Sequence, residues 1–436
     1  MNFSLYNDHL FSFLFSSPTP FHAVTNISQH FVQHGFEQLQ ENTHWQLAKG
    51  HAYFLSRDNG AIIAFIVGAD ESYEEGFRML AAHTDSPCLQ IKPQPENKTG
   101  SFLQLGVEVY GGALLSPWFD RDLSLAGRIC CRTSDDSLSV YLVNFNRPLL
   151  FIPSIAIHFD REANKNSSIN QQKHLPPIIS QALDNQFPDF KKLLIEQIHK
   201  EYGQAAIAEI LSFDLFCYDF QKPTYTGAKN EIISSARLDN LLSCHAGMLA
   251  LGKAARSKNI LFYCANHEEN GSTSTSGAQG SFLEATIERI IAATTPRRIA
   301  LSNSFLVSMD NAHAAHPNFM EKIDATHEIH LNKGPVIKIN ANQRYASNSL
   351  STAIYKQICR EADITPQEFV MRSDLPCGST IGPIVSANLG VRTVDIGAAS
   401  LAMHSIREHT GTMDPFLLFR SIEHYLKSNA HKHVKN

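Results

Sequence analysis

Histidines and carboxylates recur in this chain directly after apolar, strand-like runs. Arg78–Ala82 leads into His83-Thr84-Asp85, and Ile260–Ala265 leads into Asn266-His267-Glu268-Glu269. Ile299–Met309 ends at Asp310, with His313 and His316 close behind. Thr393–Ile396 continues through Gly397 and a short loop to Met403-His404-Ser405, and Asp239 stands where the helix-like run Leu238–Ala255 begins. Imidazole and carboxylate side chains are ligands for Zn2+ and similar ions. Two such ions roughly 3.5–4 Å apart need a bridging carboxylate and terminal ligands on each side. A further carboxylate, bound to neither ion, then moves protons. The adjacent Glu268 and Glu269 offer one residue for each task, and Asp85 is placed to orient the His83 imidazole. The helical pattern HExxH is absent, because Gly271 stands where its second histidine would be. That excludes a zincin-type site.

Alternating buried strands and amphipathic helices must position these residues. Ala23–Gly35, Leu238–Ala255, Ser281–Ala293 and Asn348–Ala362 carry helical periodicity. Ala61–Val67, Arg78–Ala82, Ile260–Ala265, Ile299–Met309 and Thr393–Ile396 are apolar runs of strand type. Such alternation predicts an α/β fold, a mainly parallel sheet sandwiched by helices, whose ligands gather outside the carboxyl ends of the strands. Residues 93–230 differ. Leu103–Val109, Leu123–Cys131, Leu138–Asn144 and Leu211–Phe220 read as strands between turn formers, with a polar loop at Arg161–His174. The expected organisation is an α/β domain over 1–92 and 231–436, interrupted by a β-rich insertion over 93–230.

The chain of 436 residues, 43% hydrophobic, has ample apolar content for a large core. Its 37 Lys+Arg against 42 Asp+Glu give a formal charge of −5, with no long basic run, which argues against nucleic acid or an anionic membrane as partner. Eight scattered cysteines without a CxxC pair point to reduced thiols and a cytoplasmic protein. Leu10–Phe15 is apolar but lacks a basic flank, and no stretch approaches the roughly 20 apolar residues of a membrane span. The 21 histidines do not by themselves distinguish metal binding from packing.

The sequence resembles the M18 aspartyl aminopeptidases, co-catalytic zinc exopeptidases. The resemblance is carried by Ser17-Pro-Thr-Pro-Phe-His22, Ala82-His-Thr-Asp-Ser-Pro87, Trp118-Phe-Asp-Arg-Asp-Leu123 and Ala156-Ile-His158. It continues in Arg237-Leu-Asp-Asn240, His267-Glu-Glu269, Asp310-Asn-Ala-His-Ala314 and Lys333-Gly-Pro-Val-Ile-Lys338. Cys377-Gly-Ser-Thr-Ile-Gly-Pro383 and Met403-His-Ser-Ile-Arg-Glu408 complete it, in the family's order. The resemblance implies two divalent ions per subunit, zinc foremost, one held by His83, Asp239 and Asp310 and the other by Asp239, Glu269 and His404. It makes Glu268 the general base and Asp85 the residue that steadies His83. Lys338 matches a residue associated with an acidic substrate side chain, His158 one that reaches a neighbouring subunit's active site, and His313 another active-site position. It further implies a metallopeptidase domain split by a dimerisation domain, assembled as a homo-oligomer, a tetrahedral dodecamer. Asn266, Asn270 and Ser373 depart from the family's usual residues, and none of them removes a ligand or the base.

Each assignment has a plainer competitor. His83 could be a satisfied histidine at a strand end, and Asp239 a helix N-terminal acid favoured by the dipole. Glu268 and Glu269 could be a solvated pair, Lys338 could face water from a strand edge, and His158 could be packed in the apolar run Ile155–Phe159. His22 reads as structural. Cys88 and Cys377 have no base beside them in the sequence. The expected activity is release of N-terminal residues, Asp or Glu first, from peptides. A related metallohydrolase, such as a deacylase or carboxypeptidase, and a non-catalytic oligomeric scaffold with a vestigial site are the competing classes.

Overall fold

The computed structural model describes residues 2–165, 168–182 and 186–432. Its contacts divide the chain into two compact units. The first gathers the described residues of 1–85, 223–403 and 408–436, and the second those of 86–222 and 404–407.

The first unit is built on a nine-stranded mixed sheet. Its spatial order is Glu37–Gln38, Ala52–Arg57, Ala61–Ile66, Ile260–Ala265, Arg78–His83, Phe305–Met309, Arg392–Gly397, Val336–Ile339 and Gln367–Val370. Five of the eight neighbouring pairs are parallel. The run Arg78–His83 is buried along its whole length, as a central strand covered on both faces must be. Leu80 and Ala82 enter one core, and Met79 and Ala81 enter the other. The first core is covered by the helices Phe3–Ser16, Pro20–Gln33, Leu238–Gly252, Ser349–Glu361 and Asp414–Tyr425. The second is covered by Phe282–Ile290, Thr294–Asn303 and Ile381–Leu389. Period-two alternation thus turns a continuous apolar string into two helix-packing faces.

Helix Leu238–Gly252 is buried on every side from Leu238 to Leu251, its polar Asp239, Asn240, Ser243 and His245 included. A Cβ at Gly247 would lie 2.4 Å from the Phe262 ring, so glycine sets how closely this helix approaches the sheet. The expected strand Ile299–Met309 is corrected. Its first half belongs to helix Thr294–Asn303, with Ala300 in the second core, and the strand begins only at Phe305. The polar Ser302-Asn303-Ser304 interrupts the apolar run, and the Ser304 hydroxyl donates to Ala300 O while accepting from Phe77 N. A smaller five-stranded sheet joins Thr224–Thr226, Ile232–Ser235, Glu408–Gly411, Ala399–Leu401 and Ala312–His313.

The second unit is an antiparallel sheet of six strands in the order Leu138–Asn144, Leu123–Thr133, Ile207–Asp219, Cys88–Thr99, Phe102–Tyr110 and Ile178–Gln181. Helix Phe190–Tyr202 packs on it through Phe190, Leu194 and Ile198, one stripe at helical spacing. The expected loop Arg161–His174 contains a short helix at Gln171–His174, and its residues 166 and 167 lie outside those described. None of the eight cysteines is in a disulfide. Among the described residues no helix is long and apolar enough to cross a membrane.

Candidate metal centre

Parallel register brings three strand ends together. Ala265 pairs with His83 and Ser308 with Ala81, so His83, the turn after Ala265 and Asp310 emerge at one end of the sheet. Beyond His83, the Asp85 carboxylate accepts the backbone amides of Glu268 and Glu269 at 3.2 and 3.1 Å. His83 Nδ1 lies 3.1 Å from Asp85 O and 3.4 Å from Asp85 Oδ1. Asp85 therefore does two things. It engages one imidazole nitrogen, and it holds the turn Glu268–Asn270 that carries both glutamates.

The other nitrogen, His83 Nε2, lies 3.5 Å from Asp239 Oδ1 and 3.7 Å from Asp310 Oδ1. Four donors about 2.0–2.1 Å from a tetrahedral zinc stand roughly 3.3 Å from one another, so this spacing fits that ion. His83, Glu268 and Glu269 offer a second set of converging atoms. Asp239 is fixed from several directions. Its amide donates to Glu408 Oε2 at 2.9 Å, and the side chain of Asn240 donates to Met309 O at 2.7 Å, one residue before Asp310. Two residues earlier, Arg237 sits at φ +59 and donates to Ser17 O and Leu14 O, at the end of the first helix.

The electrostatics suit a bound cation. Burial raises the carboxyl of Glu268 to about 7, assisted by Asp310, Asp85 and Asp239. Burial and Asp239 push Glu269 well above the carboxylate range. Burial opposes protonation of His83, but Asp239, Asp310 and Asp85 outweigh it and raise its pKa. Several acids withdrawn from water beside one imidazole are costly without positive charge among them. Donor type, spacing and surplus negative charge all fit a divalent ion.

Lys338 does not face water. It is 2% exposed, its Nζ lies 3.3 Å from Asp310 Oδ2 and 3.2 Å from Asn311 O, and the Tyr345 ring centroid is 5.1 Å away. His313 ends the short strand Ala312–His313 and meets the Phe369 ring edge-on at 5.8 Å. His404 lies in the segment 404–407 that packs with the second unit, at φ +68, with Nδ1 3.1 Å from Gly112 O. His158 is exposed, and its neighbours Ile155, Ile157 and Phe159 are exposed too, which removes the packed-core reading. His22 serves the chain turn, its Nδ1 2.8 Å from the hydroxyl of the N-cap Thr19.

Sequence reasoning missed three buried residues around these groups. Glu408 lay within a quoted block but carried no assigned role, since a lone acid gives no spacing signal. Asp395 accepts the Ala346 amide at 2.5 Å and the Thr380 hydroxyl at 2.8 Å, and a Cβ on Gly382 would strike its carboxylate. Tyr345 packs with Phe369 in a small core beside Lys338.

The family model of the aminopeptidase I zinc metalloproteases, M18, matches residues 13–422. The chain belongs to the M18 family. It is a member of a family of zinc-dependent aminopeptidases, which are peptide-bond hydrolases. A probable M18 family aminopeptidase 2 of Pseudomonas savastanoi pv. phaseolicola is 48% identical over 408 residues, 94% of this chain and 95% of the relative. A protein of the same description from Stutzerimonas stutzeri is also 48% identical over 408 residues, with the same shares covered. Among solved structures, a chain of the Ape4 and Nbr1 complex superposes with a TM-score of 0.95 at 37% identity, covering 100% of this chain and 88% of that one. The M18 aminopeptidase of Thermotoga maritima, 20% identical, shares the fold with a TM-score of 0.84 over 97% of this chain and 96% of its own.

Proposed function

We propose that this M18 aminopeptidase releases N-terminal Asp and Glu in preference to other residues, using two divalent ions per subunit, zinc in both positions. His83, Asp239 and Asp310 hold one ion. Asp239, Glu269 and His404 hold the other, with Asp239 shared. The observation that carries this reading is the approach of Asp239 and Asp310 to His83 Nε2 at 3.5 and 3.7 Å, beside a glutamate raised to about 7. When bound, the ions supply Lewis acidity toward the scissile carbonyl and a water of lowered pKa.

The chain's own groups do the rest. Glu268, held by Asp85 through its backbone amide, takes a proton from the attacking water and delivers it to the departing amine. Asp85 keeps His83 turned with Nε2 toward the two aspartates. Lys338 supplies the cation that an acidic first side chain meets through a charge-assisted contact, and His313 lines the same site. The second unit is the dimerisation domain of a homo-oligomer, and His158 on it reaches a neighbouring subunit's site. Exposed Ile155, Ile157 and Phe159 suit a surface covered by another copy. A solved relative of 25% identity and TM-score 0.84 is the mApe1 dodecamer of S. cerevisiae, and we propose the same subunit number here and a cytoplasmic site of action.

A panel of aminoacyl chromogenic substrates, assayed with and without chelator, tests this function. Faster turnover of Asp and Glu substrates, lost on chelation and restored by zinc, is the expected result. Cleavage of N-acyl amino acids or C-terminal residues in its place would transfer the site to a deacylase or carboxypeptidase. A protein binding no divalent ion and turning over nothing would be a scaffold.

A further inference from the structure

Lys338 divides the carboxylate of Asp310 between two partners. Its ammonium lies 3.3 Å from Oδ2, while Oδ1 is the oxygen 3.7 Å from His83 Nε2. The lysine has little freedom to be elsewhere. It is 2% exposed, donates to Asn311 O at 3.2 Å, and lies under the Tyr345 ring. Its strand, Val336–Ile339, is paired to Arg392–Gly397 with Ile337 opposite Ile396. A Cβ on Gly397 would lie 1.9 Å from Asp310 O, so the backbone of Asp310 is confined on that side too. An aspartate carboxylate otherwise rotates about its terminal torsion with little preference. A buried ammonium held 3.3 Å from one oxygen restricts that freedom.

We infer that Lys338 is a positioning residue for Asp310, engaging one carboxylate oxygen so that the other is presented to the metal position. The inference rests on the reading of Asp310 as a ligand. Two effects of the lysine oppose each other. Its charge repels a divalent ion, whereas its ion pair with Oδ2 orients the ligand, and supporting partners of this kind are worth roughly 10–100-fold in metal affinity. Orientation is taken to win, because Oδ2 is the oxygen Lys338 occupies and Oδ1 the one turned to His83.

Zinc affinity of the full-length protein, measured by equilibrium competition with a chelating indicator, separates the two effects without an activity assay. Lys338→Met is expected to weaken zinc binding roughly 10–100-fold. Lys338→Gln, neutral but still a donor, is expected to stay near the parent value. Unchanged or tighter binding in Lys338→Met, or tighter binding in Lys338→Gln, overturns the inference. Should Lys338→Met fail to fold, Lys338→Gln alone decides, parent-like binding supporting it and tighter binding overturning it. Asp310→Ala serves as the control. Loss of one zinc there, with no further loss on adding Lys338→Met, supports the coupling. If Asp310→Ala keeps full affinity, the ligand reading itself fails.

Discussion

The backbone amide of Asp239 donates to a carboxylate oxygen of Glu408 across 2.9 Å. Glu408 is 2% exposed and opens the strand Glu408–Gly411, so an acid outside the proposed ligand set fixes the residue both ions would share. Glu408→Ala strands a buried amide, which costs about 1–3 kcal/mol. Glu408→Gln keeps an acceptor. The alanine variant is expected to lose melting temperature and zinc affinity together, and the glutamine variant to lose much less. Identical behaviour of the two would show that the hydrogen bond is not what Glu408 contributes.

Glu268→Gln removes a proton acceptor and leaves the backbone contact to Asp85 intact. Turnover is expected to fall by about 10²–10⁴-fold, the range general-base catalysis commands, with bound zinc per subunit unchanged. Retained activity would end the base assignment.

Metal loading is expected to displace protons. Glu268 is raised to about 7 and Glu269 and His83 are raised in the metal-free centre, while ligands bind ions only once deprotonated. Apparent zinc affinity therefore rises with pH through the neutral range. Calorimetric titrations in buffers of different ionisation enthalpy read the protons released. A heat independent of the buffer would mean the cluster is already ionised.

Acid stability has a separate origin in Glu71. Burial pushes its carboxyl up, but the Asn259 amide, Lys432 and Arg78 outweigh this and hold it at about 2, below its ordinary 4.5. Arg78 and Lys258 lie 3.2 and 3.3 Å from it. A depressed carboxylate stabilises the fold above its unfolded pKa and stops doing so as pH falls through its folded value. Glu71→Gln is expected to cost about 3–5 kcal/mol at pH 7, as breaking a buried pair does. The gap between parent and variant in denaturant unfolding should narrow from pH 4.5 toward pH 2. A gap independent of pH would put the effect in packing.

Much of the candidate site's placement was legible in the sequence because strands advertise themselves locally. Ile260–Ala265 is an unbroken apolar run and spans the same residues as the strand. His83 and Asp310 follow such runs directly, so the end of the sheet they occupy could be read in advance. What was not legible depends on partners distant along the chain. Nothing near Lys338 announces its pairing with Asp310, nor does anything near Glu408 announce the amide of Asp239. Ile299-Ala300-Leu301 misled because a helix stripe and a strand look alike over three apolar residues, and only the polar triplet Ser302–Ser304 marks the break. Helix Ile381–Leu389 was not among the expected helices, and its Gly382 and Pro383 are weak helix formers. Proline is tolerated in a first turn, and Thr380 caps the helix by accepting from Gly382 N.

The strand Arg78–His83 takes its sheet neighbours from Ile260–Ala265 and Phe305–Met309, much later in the chain. During synthesis from the amino terminus, this buried strand waits without either neighbour while residues 86–222 of the second unit are made. The strands of that unit, Cys88 through Asp219, lie between and pair among themselves, so they can fold first and shorten the gap that must close. Order of emergence thus matters here as much as final geometry. The segment that ends in His83 stays exposed to wrong pairings until Phe305–Met309 has left the ribosome, the interval in which chaperone binding to the nascent chain has most to protect.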